Sequence, residues 1–293
     1  MDRIEKLEKE IEELRAEIAG LKREVQTFSR DAFINPVEIV LAQQGFPVLA
    51  QGDRSQLIFP PDISSGGLNR FYELMRRYSF RLFVRDLIQF PEGSETRTLT
   101  RYCSLKTVRS YMSALAEQGI VSVDEGGYKL LRQVPSFGPT LEWFVCEIFR
   151  REFLAPAVFN VRLHNTRHGG DYDVIALPAG YLVYVEVKSS PPRGVEQEAV
   201  NAFLGRVRDL QPHVSILFVD TELRMSDKLV PLLSEALSGE GRTGPEWAVS
   251  RLVNEIFHVR HSVYVINSRK GVYTNLRTCF RDFLLRDRRG GKN

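Results

Sequence analysis

Asp173, Glu186 and Lys188 are the residues of this chain whose types and spacing could do chemistry together. They fall within residues 169–190, where β-branched and aromatic residues flank Pro178-Ala179-Gly180 and predict two strands joined by a tight turn. Side chains alternate between the faces of a strand. Val183, Val185 and Val187 therefore share an apolar face, while Leu182, Tyr184, Glu186 and Lys188 share the other. A loop over 178–181 pairs Leu177 with Leu182, which sets Asp173 opposite Glu186 and Asp171 opposite Lys188. Directly opposed side chains in an antiparallel pair sit about 5 Å apart, close enough for two carboxylates to grip one hard cation. Acids and a lysine at the end of an otherwise apolar hairpin predict a metal site, with Asp171 in a supporting role.

Asp173, a turn, and then Glu186-Val187-Lys188 resembles the hallmark of the PD-(D/E)xK nuclease superfamily, which includes restriction enzymes and Holliday junction resolvases. Asp173 matches the family's lone acid, Glu186 the acid of its second motif and Lys188 its lysine. Tyr172 stands where the family usually has proline. The order helix, three strands, helix, strand over residues 138–220 fits the family's α/β core. The resemblance implies a metal-dependent endonuclease that holds Mg²⁺ or Mn²⁺. The backbone carbonyl of Val187 would be a third ligand, and Glu142, on the first helix of the core, a further one.

The chemistry agrees with the residue types. Phosphodiester hydrolysis needs an activated water and neutralised charge at the attacked phosphate, and a divalent cation held by carboxylates supplies much of both. Asp173 and Glu186 are hard oxygen donors of the kind Mg²⁺ prefers. Lys188 has two plausible tasks: to orient or deprotonate the water, or to neutralise the scissile phosphate. Gln197, Asn201 and Arg206 lie on the helix after the lysine and are candidates for phosphate contact. Glu147, on the same helix as Glu142, is a weaker candidate for the metal, and His164 and His168 are weaker candidates for contact with DNA or water.

Other elements must position these residues. Ile4, Ile11, Ile18 and Val25 alternate with Leu7, Leu14, Leu21 and Phe28 in a heptad pattern, β-branched at a and mainly leucine at d. This favours a parallel two-stranded coiled coil over residues 1–30. Arg3 with Glu8, Glu10 with Arg15, and Glu17 with Lys22 then meet across the dimer with opposite charges. Residues 31–67 read as a small connecting segment: a short helix over 36–44 capped by Asn35, then strands at 48–50 and 56–59 paired across Gly52-Asp53. Residues 68–134 predict helices at 68–77, 80–89, 96–102 and 105–118 and a hairpin of 120–123 with 128–131. That layout resembles a winged helix-turn-helix, whose second helix enters the major groove of DNA. Its exposed positions carry Lys106, Thr107, Arg109, Ser110 and Ser113, which suit phosphates or base edges. The resemblance implies that residues 135–293 form an α/β, restriction endonuclease-like domain around a central mixed sheet. Helices are expected there at 140–153, 195–210, 228–237 and 246–257, with strands at 160–163, 214–219 and 262–267.

Composition sets the outer bounds. A chain of 293 residues is long enough for about two domains, and a hydrophobic fraction of 43% is ordinary for a globular core. A net charge of +3 selects no partner but tolerates nucleic acid where the basic residues cluster. Cys103, Cys146 and Cys279 are widely spaced, so neither a disulfide framework nor a zinc site is indicated. No apolar run approaches the roughly 20 residues that cross a bilayer, and a cytoplasmic protein is expected. Three functions follow: a dimeric DNA endonuclease placed by its winged helix; a DNA-binding regulator or assembly subunit with an inactive nuclease-like domain; or a nuclease for RNA or branched DNA, working with further subunits of a defence or mobile-element system.

Overall fold

The run at 214–219 has almost no polar face, as a strand covered by helices on both sides requires. In the computed structural model, which describes residues 35–94, 99, 101–125 and 127–290, this run is β8 (Val214–Val219), buried at every position. It lies inside an eight-stranded sheet ordered β1 (Val48–Ala50), β5 (Ala157–Leu163), β6 (Asp171–Ala176), β7 (Val183–Lys188), β8, β11 (Val263–Ile266), β10 (Ile256–Val259) and β9 (Ser250–Val253). β7, β8 and β11 run parallel, and the other neighbours pair antiparallel. The sheet is therefore mixed, as expected.

Helices cover both faces. α5 (Gly138–Glu152) packs against Val174, Val185 and Ile216 on one side. On the other, α6 (Gln197–Leu210) and α7 (Leu229–Gly239) pack against Ile175, Tyr184 and Leu217. α6 is the crossover that the parallel pair β7–β8 needs.

The N-terminal elements lean on this layer. α1 (Pro36–Gln43) begins with Pro36 and is capped by Asn35, whose side chain accepts from the Val37 amide at 3.0 Å. β1 pairs with β5 at the sheet edge and not with residues 56–59. Those residues bury Leu57, Ile58 and Phe59 instead, which removes more apolar surface from water than a solvated hairpin would. α2 (Ser65–Met75), α3 (Tyr78–Gln89) and α4 (Leu105–Glu117) follow, the first and last capped by Ser64 and Ser104. A three-stranded sheet orders β2 (Glu92–Gly93), β4 (Gly127–Leu130) and β3 (Val121–Asp124). The core is continuous from these helices into the main sheet: Trp143 of α5 meets Phe59 at 4.9 Å and Phe71 at 5.8 Å between ring centres.

Two differences from expectation lie in the C-terminal third. Residues 246–257 are no helix: a short 3₁₀ turn (Pro245–Trp247) precedes the hairpin β9–β10. Val249, Leu252, Val253 and Ile256 mimic helical spacing, but Asn254 takes a left-handed φ of 52° and turns the chain back. α8 (Val272–Gly290), not anticipated, buries Val272, Leu276 and Cys279 at such a spacing. The expected coiled coil over 1–30 lies outside the described residues, as does most of the helix expected at 96–102. Among the described residues no helix is long and apolar enough to cross a membrane.

Candidate active site

The predicted hairpin register is found: Val174 pairs with Val185, Ile175 with Tyr184 and Ala176 with Val183. Continued by one residue, it sets Asp173 opposite Glu186. The strands kink at this level. On β5, Phe159 packs in the α5-side core and Val161 in the α6-side core, although residues two apart should share a face. Tyr172 and Val174 on β6 split in the same way. Asn160, between the first pair, has a φ of 49°, a left-handed conformation that asparagine tolerates better than most residues. Asp173 sits between the second pair. The kink frees its carboxylate from the regular alternation, and Oδ2 accepts from the Val187 amide at 2.6 Å.

Glu186 is the most enclosed acid of the group, 1% exposed. Lys188 Nζ donates to its Oε1 at 2.6 Å, and Arg206 Nη1 reaches both oxygens at 3.1 and 2.9 Å. The Tyr184 hydroxyl, on the same face of β7, also donates to Glu186. Arg206 comes from α6 and passes over Gly170, where a β-carbon would lie 2.7 Å from its Nη2. Gly170 has a φ of 82°, which favours glycine, and a larger residue there would also have to displace the end of the Arg206 side chain.

Glu142 approaches from α5 and makes no hydrogen bond or ion pair with the described residues. Burial, with the charges of Glu186 and Asp171, pushes its carboxyl up to about 7 against the pull of Lys188. Asp173 is raised well above the usual carboxylate range, first by lost hydration and then by Glu186 and Glu142. The Val187 amide and Lys188 oppose that rise. Burial, with the charges of Glu186 and Asp173, likewise raises the Tyr184 phenol well above its ordinary value.

Other expected residues lie elsewhere. Asp171, expected against Lys188, pairs with Arg162 of β5 at 2.9 Å. Arg206, expected at phosphate, faces Glu186. Gln197 donates to Asn201 and to the Leu232 carbonyl, both at 3.1 Å, and so ties α6 to α7. Glu147 is held by Arg150 and Arg151. His168 bonds Asp209 at 3.0 Å and packs over Gly205, while His164 is exposed. Lys106, Arg109, Ser110 and Ser113 are exposed on α4, and Thr107 bonds the capping Ser104. Sequence reasoning passed over Tyr184, although its face is shared with Glu186 and Lys188. Arg81 and Asp220 were also missed; they are joined by a buried ion pair across 139 positions, which no local pattern announces.

No family model matches the chain, and no curated protein sequence matches it. Among solved structures it is similar to protein VC1899 from Vibrio cholerae, with 18% identity and a TM-score of 0.39 over 57% of this chain and 50% of that one. It is also similar to Can2 from Sulfobacillus thermosulfidooxidans, solved in complex with cyclic tetra-adenylate, with 14% identity and a TM-score of 0.46 over 83% of this chain and 61% of that one. The chain thus matches half to three fifths of the length of these structures. The fold itself is an eight-stranded mixed α/β sheet of a kind compatible with a nuclease-like domain, with Asp173, Glu186, Lys188, Glu142 and Arg206 gathered at one end of its central hairpin.

Proposed function

We propose that the chain is a divalent-metal-dependent endonuclease that hydrolyses phosphodiester bonds of DNA, with Asp173, Glu186 and Lys188 as its catalytic residues. The observation that supports this most is the hairpin register: two acids on opposed positions and a lysine two residues on, in the order of the PD-(D/E)xK pattern, with Glu142 facing them.

The donor set fits Mg²⁺ or Mn²⁺ in kind. Three oxygen donors stand where their negative charges disfavour one another, and Glu142 has no hydrogen-bonding partner among the described residues. Asp173, Glu186 and Glu142, with the Val187 carbonyl, would hold the ion. When bound, the ion supplies Lewis acidity and an activated water. Lys188 then serves the scissile phosphate or the water, and Arg206 keeps Glu186 oriented from behind. The remaining plan belongs to the same proposal: a parallel dimer through 1–30, a connecting segment over 31–67, a winged helix over 68–134 and the nuclease domain over 135–293. The order of α3, β2, α4 and the β3–β4 hairpin supports the winged helix, because a short first strand pairs there with the second wing strand.

One observation favours a second function, a DNA-binding regulator with an inactive nuclease-like domain. Lys188, Arg206 and Tyr184 already occupy Glu186, and among the described residues no three of His, Cys, Asp or Glu converge closely enough to hold a metal. Cleavage separates the two. Plasmid, linear, branched and single-stranded DNA and RNA are incubated with Mg²⁺, Mn²⁺ or EDTA. The endonuclease cuts DNA only with metal, and Lys188→Ala slows it about a hundredfold, the scale of a lost acid–base group. Binding without cleavage in every metal leaves the regulator.

A further inference from the structure

The backbone at the end of β7 is held from outside the hairpin. The Lys188 carbonyl accepts from the Asp220 amide at 2.8 Å, and the Ser189 carbonyl accepts from Arg85 Nη1 at 3.1 Å. Asp220 is itself fixed. Arg81 Nε lies 3.0 Å from each of its carboxylate oxygens and Nη2 lies 2.8 Å from Oδ1, with the two residues 1% and 4% exposed. Arg81 also donates to Ser268 Oγ at 2.9 Å and to the Met75 carbonyl at 2.7 Å. Arg81 and Arg85 stand one helical turn apart on α3, hence on one face.

We propose that Arg85, with Arg81 behind it, is a positioning residue for Lys188, so that α3 sets the place of the catalytic lysine. This rests on the assignment of Lys188 as the hydrolytic lysine. The backbone of Lys188 and Ser189 fixes where the lysine side chain starts; its Ser189 carbonyl is held directly by Arg85 of α3, and its Lys188 carbonyl by the amide of Asp220, whose carboxylate Arg81 of α3 holds. The lysine side chain is 29% exposed and is held at its far end by Glu186 at 2.6 Å, while its near end is set by this backbone. Displacement of a reacting group by about 1 Å can cost on the order of a hundredfold in rate.

The test compares the full-length protein with Arg85→Ala and Arg85→Lys. Plasmid nicking in Mg²⁺ gives kcat and KM. Acetylation of Lys188 by acetic anhydride at one pH, without metal, is read by mass spectrometry against Lys106. Arg85→Ala should lower kcat by roughly tenfold while KM stays within about twofold, and should change Lys188 acetylation by about threefold or more. Arg85→Lys can still donate to the Ser189 carbonyl and should restore most of both. The double variant Arg81→Met with Asp220→Leu removes the buried pair without stranding a charge and should resemble Arg85→Ala. A raised KM with intact kcat would make Arg85 a substrate contact and overturn the proposal. Unchanged kcat with unchanged acetylation would also overturn it. If the wild type cuts nothing in any metal, the endonuclease assignment fails, and the acetylation comparison still decides whether Arg85 positions the lysine.

Discussion

Glu186 meets two cations and a phenol within one buried niche, whereas Glu142 and Asp173 meet mostly other carboxylates. That imbalance has a pH signature. An acid raised in the folded state binds its proton more tightly there than in the unfolded chain. Unfolding therefore gains as pH climbs past the ordinary value of 4.5, until the native group also ionises near 7. In EDTA, the contribution of Glu142 to stability should fall between those limits and then level off. Denaturation midpoints measured from pH 4.5 to 7.5 should show a shallower fall for Glu142→Gln than for wild type; equal slopes would contradict the environment described. At this scale the sequence was legible where period and register suffice, as for Asp173 and Glu186. It was silent where a partner lies on another element: nothing local to Arg206 names Glu186, and nothing local to Asp171 names Arg162 over Lys188.

Elements show the same division. β8 announces itself through an apolar run that only a doubly covered sheet can accommodate, and β7 through an alternation that sets Glu186 and Lys188 on one face. β9 and β10 were misread because their apolar spacing also fits a helix, and a left-handed Asn254 decided the matter. The kink at Asn160 is the element-scale feature that matters most for the site. Asn160→Val should cost about 1–2 kcal/mol, since a left-handed φ is strained for a branched residue, and it should disturb Asp173. Asn160→Gly should be nearly neutral. Thermal unfolding of both variants checks this, and equal loss in both would remove the role given to φ. For α4, Lys106→Ala combined with Arg109→Ala should lower duplex affinity and reduce the salt slope by about two, one for each phosphate contact. Unchanged binding would make that helix a protein-docking surface.

For the whole molecule, the continuous core from Phe59 through Trp143 into the sheet ties the N-terminal helices to the sheet that carries Asp173, Glu186 and Lys188. The sequence did not show this, because residues 31–67 read as no more than a small connecting segment. The heptads predict a dimer in solution, and Ile11→Asp with Ile18→Asp should break it by burying unpaired charge at a cost of several kcal/mol. Light scattering that finds the intact chain monomeric would refute the coiled coil. The proposed metal site is best tested by one melting experiment, with wild type and Asp173→Ala each in Mg²⁺, Mn²⁺ and EDTA. If Asp173 is a ligand, metal raises the wild-type Tm, and the variant loses that response while melting in EDTA at or above wild type, since a repelling carboxylate is gone. A wild type indifferent to metal, with an Asp173→Ala variant that melts lower, would contradict the assignment and leave Asp173 as a structural acceptor for the Val187 amide.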